Sequence, residues 1–217
     1  MDQLLSAHVA TNLYWFGRHL QRIESTLIDV LELFDVVIDS DRGAGKRYFS
    51  HLEIELAYDS ASQFLNSALF GEHPSNLRLL MRNARENAIT CRAHIGVDAF
   101  GEAIRLQKLF ELNAKKDRVD YRFIGEALSL INEIWGIMSR GLVRKTSDHF
   151  LRLGKLVEKV DLHLRLGRDG NESAVYLRNI LITAQHIAPE AELAISETDG
   201  EANLEAINHL IGCLVAE

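Results

Sequence analysis

Two carboxylates, Glu24 and Asp161, are the residues of this sequence best placed to do chemistry. Each follows a glycine by seven residues, Gly17 or Gly154, and each lies on the edge of the apolar stripe of a predicted helix. A buried carboxylate at such an edge can serve as a general base. The alternative is a purely structural ion pair with an arginine of a neighbouring helix. The spacing alone leaves both interpretations open.

The two carboxylates end matching segments that lie 137 residues apart. The first segment is Asn12-Leu-Tyr-Trp-Phe-Gly-Arg-His-Leu-Gln-Arg-Ile-Glu24, and the second is His149-Phe-Leu-Arg-Leu-Gly-Lys-Leu-Val-Glu-Lys-Val-Asp161. Besides the glycine and the carboxylate, cations fall at common offsets: Arg18, Arg22, Lys155 and Lys159. We interpret this match as an internal duplication. It predicts that the two helices are neighbours related by an approximate two-fold, with their glycines facing a common centre.

The charged residues of the two segments are predicted to line one pseudo-symmetric binding groove: Arg18, Arg22, Glu24, Lys155, Lys159 and Asp161. Arg18 and Arg22 lie off the apolar stripe, so their replacement by glutamine is expected to leave folding nearly intact. A third helix adds Arg85 and Asn87 on the flanks of its own stripe. Arg85 is the first choice to neutralise Glu24, which is expected to be mostly buried. The alternative is a surface arginine paired with Glu86.

The composition excludes several functional classes. A formal net charge of −7 over 217 residues and the lack of a basic run argue against a nucleic-acid partner. No uninterrupted apolar stretch approaches the 18 residues of a membrane span, and the first residues do not resemble a secretory signal, so a cytoplasmic protein is expected. Cys91 and Cys213 are both expected to be buried and reduced. The nine histidines show no metal-ligand spacing with a carboxylate, so neither metal nor cofactor is predicted.

Apolar residues recur with a helical period along the whole chain, and no strand-like alternation bounded by turn residues is evident. The sequence therefore predicts an all-α fold, a compact single domain over residues 1–217. About eight helices are expected, over residues 4–39, 47–70, 76–95, 97–112, about 123–142, 147–166, 174–187 and 203–214. Ser75 or Asn76 is expected to cap the third helix. A polar loop is expected at residues 196–200.

The first segment resembles the N-terminal signature of the bacterial alpha-E domain family, which is named after a Glu-Arg motif on a helix. The resemblance continues at Pro74-Ser-Asn-Leu77 with Ala84-Arg-Glu-Asn-Ala88, and again at the second segment. Two departures are evident, because the Glu-Arg motif is Gln21-Arg22 in the first copy and Glu158-Lys159 in the second. Lysine cannot form the bidentate fork that arginine offers a carboxylate.

The resemblance implies an all-helical domain that acts together with a circularly permuted ATP-grasp ligase-like protein, and with a transglutaminase-like protease in some settings. The preferred hypothesis is therefore an accessory subunit that holds the ligase, or its peptide or amide acceptor, in the charged groove. One alternative is an enzyme that uses Glu24 or Asp161 as a general base on an amino acid or peptide, and another is a structural scaffold. The oligomeric state is left open, a homo-oligomer included.

Overall fold

A computed structural model describes residues 5–140, 145–168, 170–194, 196 and 200–216. All regular secondary structure in these residues is helical, which confirms the predicted fold class. The described residues form nine helices: α1 (Ala7–Asp39), α2 (Ala44–Ser50), α3 (Ala61–Phe70), α4 (Leu77–Ile95), α5 (Val97–Asn113), α6 (Arg122–Met138), α7 (Thr146–Arg165), α8 (Gly170–Gln185) and α9 (Gly200–Ala216). Leu142 and most of the loop predicted at 196–200 lie outside the described residues.

The chain divides into two compact units, and the boundary falls within α1. Unit 1 consists of Met1–Gln21 and Gly141–Glu217, and unit 2 consists of Arg22–Arg140. The prediction of one domain over residues 1–217 stays a prediction. Within the described residues, no helix has both the length and the apolar character that crossing a bilayer requires.

In unit 1, α7 is the most deeply buried helix. Its middle is enclosed on nearly all sides, since these consecutive or neighbouring residues are buried: Phe150, Leu151, Leu153, Gly154, Leu156, Val157, Glu158, Val160, Asp161 and Leu162. Helix α7 packs against α8 and contacts α9. A helix enclosed in this way can hold charged groups only where they meet opposite charges from the helices around it.

Helices α1 and α7 approach each other at two glycines. A Cβ atom on Gly17 would clash with the carbonyl oxygen of Leu151 and lie 3.2 Å from the amide nitrogen of Lys155. A Cβ atom on Gly154 would clash with the carbonyl oxygen of Tyr14 and lie 2.9 Å from the amide nitrogen of Arg18. The prediction that the two glycines face each other is therefore confirmed. The two sets of contacts correspond, because Leu151 and Lys155 lie 137 residues after Tyr14 and Arg18. The duplication itself stays a prediction.

In unit 2, α5 packs against α4 on one side and α6 on the other. The side-chain oxygen of Asn76 accepts a hydrogen bond from the amide of Leu79 at 3.1 Å, which confirms one of the two predicted caps of α4. The predicted α4 stripe is wholly buried: Leu77, Met81, Ala84, Ala88, Cys91 and Ile95. Rings of Phe70, Phe110 and Phe123 contact one another in the core of this unit.

The single helix predicted over residues 47–70 is wrong, because the structure has the short helix α2 and the separate helix α3 there. Between them, buried Ile54, Leu56 and Tyr58 alternate with exposed residues, which is the period of an extended chain. The chain restarts as a helix at Ser60, whose hydroxyl accepts a hydrogen bond from the amide of Gln63 at 3.2 Å. A period-two burial pattern thus overrides helix propensity in this stretch.

The prediction that both cysteines are buried is correct for one of them and wrong for the other. Cys91 is fully buried in α4, whereas Cys213 in α9 is exposed. The difference follows from helix geometry, because α9 turns Ile207, Leu210, Ile211 and Leu214 inward and leaves Cys213 on the outer side.

Candidate functional site

Arg18 is bound by two buried carboxylates of α7. Its Nε donates a hydrogen bond to Oε2 of Glu158 at 2.8 Å, and its Nη2 donates to Oδ2 of Asp161 at 3.3 Å. Glu158 is 1% exposed and Asp161 is 5% exposed. The Nε of Arg165, one helical turn later, donates to the other oxygen of Asp161 at 2.9 Å. Two arginines therefore neutralise two acids in a network that we call the Arg18 clamp: Arg18, Glu158, Asp161 and Arg165.

The electrostatics of the Arg18 clamp keep Arg18 ionised. Burial by itself would lower the pKa of Arg18, but the attraction of Glu158, followed by Tyr14 and Asp161, outweighs it and leaves that pKa raised. Burial also raises the pKa of the Tyr14 phenol, although the Arg18 charge opposes the rise. Arg18 thus stays a cation and Tyr14 stays a neutral phenol beside it.

Arg18 also packs against an exposed tryptophan. The guanidinium carbon of Arg18 lies 5.2 Å from the centre of the Trp15 ring. The ring of His19 packs against the same Trp15 ring, and the two ring centres are 5.6 Å apart. Trp15 is nevertheless 41% exposed. Arg18 therefore connects the buried acids of α7 to an aromatic side chain at the surface.

The structure corrects the expectation that Arg18 lies off the core and is replaceable by glutamine with little effect on folding. Its side chain is only 14% exposed. The physical reason is the close approach at Gly17 and Gly154, which brings the turn of α1 that carries Arg18 against α7. Arg18 and Asp161, both predicted to line a groove, instead bind each other in the interior of unit 1.

Glu24 has a different partner from the one predicted. It is half-buried, and its Oε2 accepts a hydrogen bond from the indole Nε1 of Trp135 at 3.2 Å. Arg85 donates instead to Oε1 of Glu86 at 2.5 Å, which was the alternative considered for it. The predicted pairing of Arg85 with Glu24 is therefore wrong. The reason is local, because Glu86 is adjacent in the chain and reaches the guanidinium along the helix surface.

The remaining predicted site residues are half-buried and distributed over three helices: Arg22 on α1, Asn87 on α4, and Lys155 and Lys159 on α7. The ammonium of Lys159 lies 5.2 Å from the centre of the Tyr176 ring of α8. Across the part of the chain that the structure describes, no group of three or more histidine, cysteine, aspartate or glutamate residues could hold a metal ion.

Glu158 is the residue of the Arg18 clamp that sequence reasoning missed. Glu158 falls outside the apolar stripe predicted for this helix, yet it is the most deeply buried charged side chain there. One signal was available in the sequence. Glu158 precedes Asp161 by three residues, so both acids share one helix face, and it also stands at the glutamate of the second Glu-Arg position. Its first-copy equivalent, Gln21, is also buried but carries no charge.

Comparison with known proteins identifies the family. The chain matches a family model described as Alpha-E, a predicted alpha-helical domain with a conserved ER motif, over residues 5–186. The chain belongs to the Alpha-E family. No curated protein and no solved structure matches it. In this Alpha-E protein Glu158 binds Arg18, and the ammonium of Lys159 lies against the ring of Tyr176.

Proposed function

We propose that this Alpha-E protein is a binding subunit that docks a protein partner through the surface around Trp15. The partner that the family resemblance implies is an ATP-grasp ligase-like protein that forms peptide or amide bonds. The observation that carries the proposal is the arrangement of Trp15, which is exposed at the surface while Arg18 and the buried acids fix the support beneath it.

Trp15 has the properties of an interface anchor. Tryptophan and arginine are over-represented among the residues that dominate binding energy, and rigid anchors lose little entropy on binding. Here the guanidinium of Arg18 is held by Glu158 and Asp161, and the rings of Trp15 and His19 pack against each other at a tilt of 30°. The charges of the Arg18 clamp are thereby used to orient a surface group rather than to contact a substrate.

The same contacts weigh against an enzyme that uses Asp161 as general base. A general base must come within hydrogen-bonding reach of the proton that it removes. Both oxygens of Asp161 already accept hydrogen bonds from arginines, and the side chain is almost inaccessible. The convergence of Glu24 with Arg85, which an enzyme pocket would require, is absent among the described contacts of Arg85.

The test is capture of the partner by the tagged protein from its own cells, with and without ATP, followed by titration of the captured ligase-like protein. Trp15→Ala should weaken binding by about 2 kcal/mol or more, the loss typical of an interface anchor. Its melting temperature should barely change, because the removed ring is at the surface.

Tyr121→Ala is the matched control, since Tyr121 is an aromatic residue of similar exposure in unit 2. Its affinity should equal that of the wild type. If the captured proteins include no ligase-like protein, the proposed identity of the partner is contradicted. Equal affinities of the wild type and Trp15→Ala would contradict the binding surface.

A further inference from the structure

Unit 2 contains a cleft that the proposed docking surface does not use. It has a volume of about 560 Å³ and lies between the end of α1, the start of α2 and the residues that lead into α3. Small-molecule sites in proteins typically have volumes of about 300–1,000 Å³. The lining includes Ile38, Arg42, Lys46, Tyr58 and Asp59. The cleft therefore combines an apolar wall with charges of both signs.

Two of the cations at this cleft are not neutralised by a neighbouring acid. The segment that forms the start of α2 carries three cations, of which Arg47 is bound to Asp41 and does not line the cleft. Arg42 and Lys46 do line it, are exposed, and form no ion pair with any residue that the structure describes. Charge-assisted hydrogen bonds to an anion are the strongest contacts that such groups can make.

The wall of the cleft is preformed around Tyr58. The phenol of Tyr58 donates a hydrogen bond to the carbonyl oxygen of Arg42 at 2.6 Å, and the Lys46 ammonium lies 5.3 Å from the centre of its ring. Gly45 makes this packing possible, because a Cβ atom there would lie 2.9 Å from the Tyr58 oxygen and would clash with the Phe64 ring. The glycine that interrupts the helical pattern after α1 thus allows the aromatic wall to form.

From this lining we propose that the cleft binds a small α-amino acid with an apolar side chain. Arg42 and Lys46 bind its carboxylate, Asp59 binds its ammonium group, and Ile38 with Tyr58 covers its side chain. Ile38 is 55% exposed, so it has apolar surface available for such a ligand. Two cations against one acid favour a single carboxylate over a neutral ligand. Asp59 disfavours a more highly charged anion such as phosphate. This site lies entirely in unit 2 and stands or fails independently of the Trp15 surface.

The experiment is a titration of the full chain, followed by ¹H–¹⁵N NMR, with four probes at up to millimolar concentrations. L-leucine should bind saturably and shift amides of residues 37–61. L-leucinamide, which lacks the carboxylate, and 4-methylpentanoate, which lacks the amine, should each bind at least tenfold more weakly. Inorganic phosphate should not compete. Absence of saturable binding of leucine, or equal binding of leucine and leucinamide, would overturn the proposal. Tight binding of phosphate without binding of leucine would contradict the proposal that the ligand is an amino acid.

Variants assign the binding to this cleft. Arg42→Gln combined with Lys46→Gln should weaken leucine binding at least tenfold. Asp59→Asn should weaken leucine binding but should not weaken the binding of 4-methylpentanoate, which has no ammonium group for Asp59 to bind. Arg118→Gln combined with Lys108→Gln is the matched control, because it removes one exposed arginine and one exposed lysine of the same unit outside the cleft. All of these side chains are exposed, so thermal melts should match the wild type. A leucine affinity unchanged in the Arg42, Lys46 double variant would overturn the assignment.

Discussion

At the scale of single residues, the Arg18 clamp illustrates how a buried ion pair contributes to a fold. Removing charges from water is costly, and the attraction between them only roughly offsets that cost, so the intact clamp adds little net stability. Removing the Arg18 charge alone has a larger effect, because it leaves the carboxylate of Glu158 with almost no access to water. The clamp therefore acts more on the orientation of Arg18 than on the total stability.

The first prediction follows from that asymmetry. Arg18→Gln should lower the free energy of unfolding by about 3 kcal/mol or more, since a buried carboxylate loses a hydrogen-bonded cation. Urea denaturation at neutral pH measures the change. Arg118→Gln, at an exposed arginine, should stay within about 0.5 kcal/mol of the wild type. A loss equally small for Arg18→Gln would show that Glu158 is neutralised without it.

The second prediction concerns the buried thiol of Cys91. Burial raises its pKa from 9.0 to about 12, so the folded state holds the thiol proton more tightly than the unfolded state. The resulting stability is fully present below pH 9 and is lost as the pH rises through 9 towards 12. The free energy of unfolding, measured by urea denaturation, should therefore fall more steeply between pH 8 and about 10.5 for the wild type than for Cys91→Ala. If stability fell equally with pH in the two proteins, the raised pKa of Cys91 would be contradicted.

The same burial predicts different reactivity of the two cysteines. The thiolate is the reactive form, so a buried thiol with a raised pKa reacts slowly. In the native protein an aromatic disulfide reagent should label exposed Cys213 rapidly and Cys91 only after unfolding. Rapid labelling of both thiols in the native protein would show that α4 opens more readily than its packing implies.

At the scale of helices, the glycine crossing is the feature that sequence reasoning predicted best. Two glycines at one offset in two amphipathic segments required a reason, because each costs about 1 kcal/mol in helix stability relative to alanine. The sequence predicted that the two glycines face a common centre, and the contacts of Gly17 and Gly154 confirm this with a close approach of the two backbones.

The fourth prediction tests that crossing. Gly17→Ala and Gly154→Ala should each destabilise unit 1 by about 1–3 kcal/mol, because the overpacking caused by the new Cβ outweighs the better helix propensity of alanine. Gly101→Ala is the control, since Gly101 lies on the exposed face of α5 with open space around it, and it should instead stabilise by up to about 1 kcal/mol. Thermal and urea denaturation measure both. A stabilising Gly17→Ala would mean that α1 and α7 can separate without loss.

Other parts of the fold could not be read from the sequence, for identifiable physical reasons. Periodicity reports which face of a helix is apolar, but not how many neighbours enclose it, so the burial of Glu158 in enclosed α7 was missed. Side chains of arginines reach several acids, and the choice of Glu86 by Arg85 depends on local geometry that spacing does not encode. The extended stretch before α3 was hidden because its short alternation also fits a weak helical stripe.

At the scale of the whole molecule, the Alpha-E match and the packed core do not end at the same residue. The family model ends at residue 186, whereas α9 begins at Gly200. Helix α9 contacts α7, and it contributes four buried apolar side chains: Ile207, Leu210, Ile211 and Leu214. Two hydrogen bonds between Asn203 and the backbone of Ser196, at 2.8 and 2.9 Å, fix the start of this helix. The helix is thus part of the core of unit 1.

The last prediction follows from this burial. Each of the four side chains stabilises the fold by about 1.5–3 kcal/mol, which in sum is comparable with the total stability of a typical domain. A chain ending at residue 186 should therefore lose the cooperative unfolding of unit 1, as measured by hydrogen exchange of amides in α7. In the full chain, Ile207→Ala should cost about 2–5 kcal/mol in urea denaturation. Its exposed neighbour provides the control, since Asn208→Ala should change stability by less than about 0.5 kcal/mol. A shortened chain with wild-type protection in α7 would show that α9 is an appendage and that the family boundary at residue 186 is also the boundary of the folded unit.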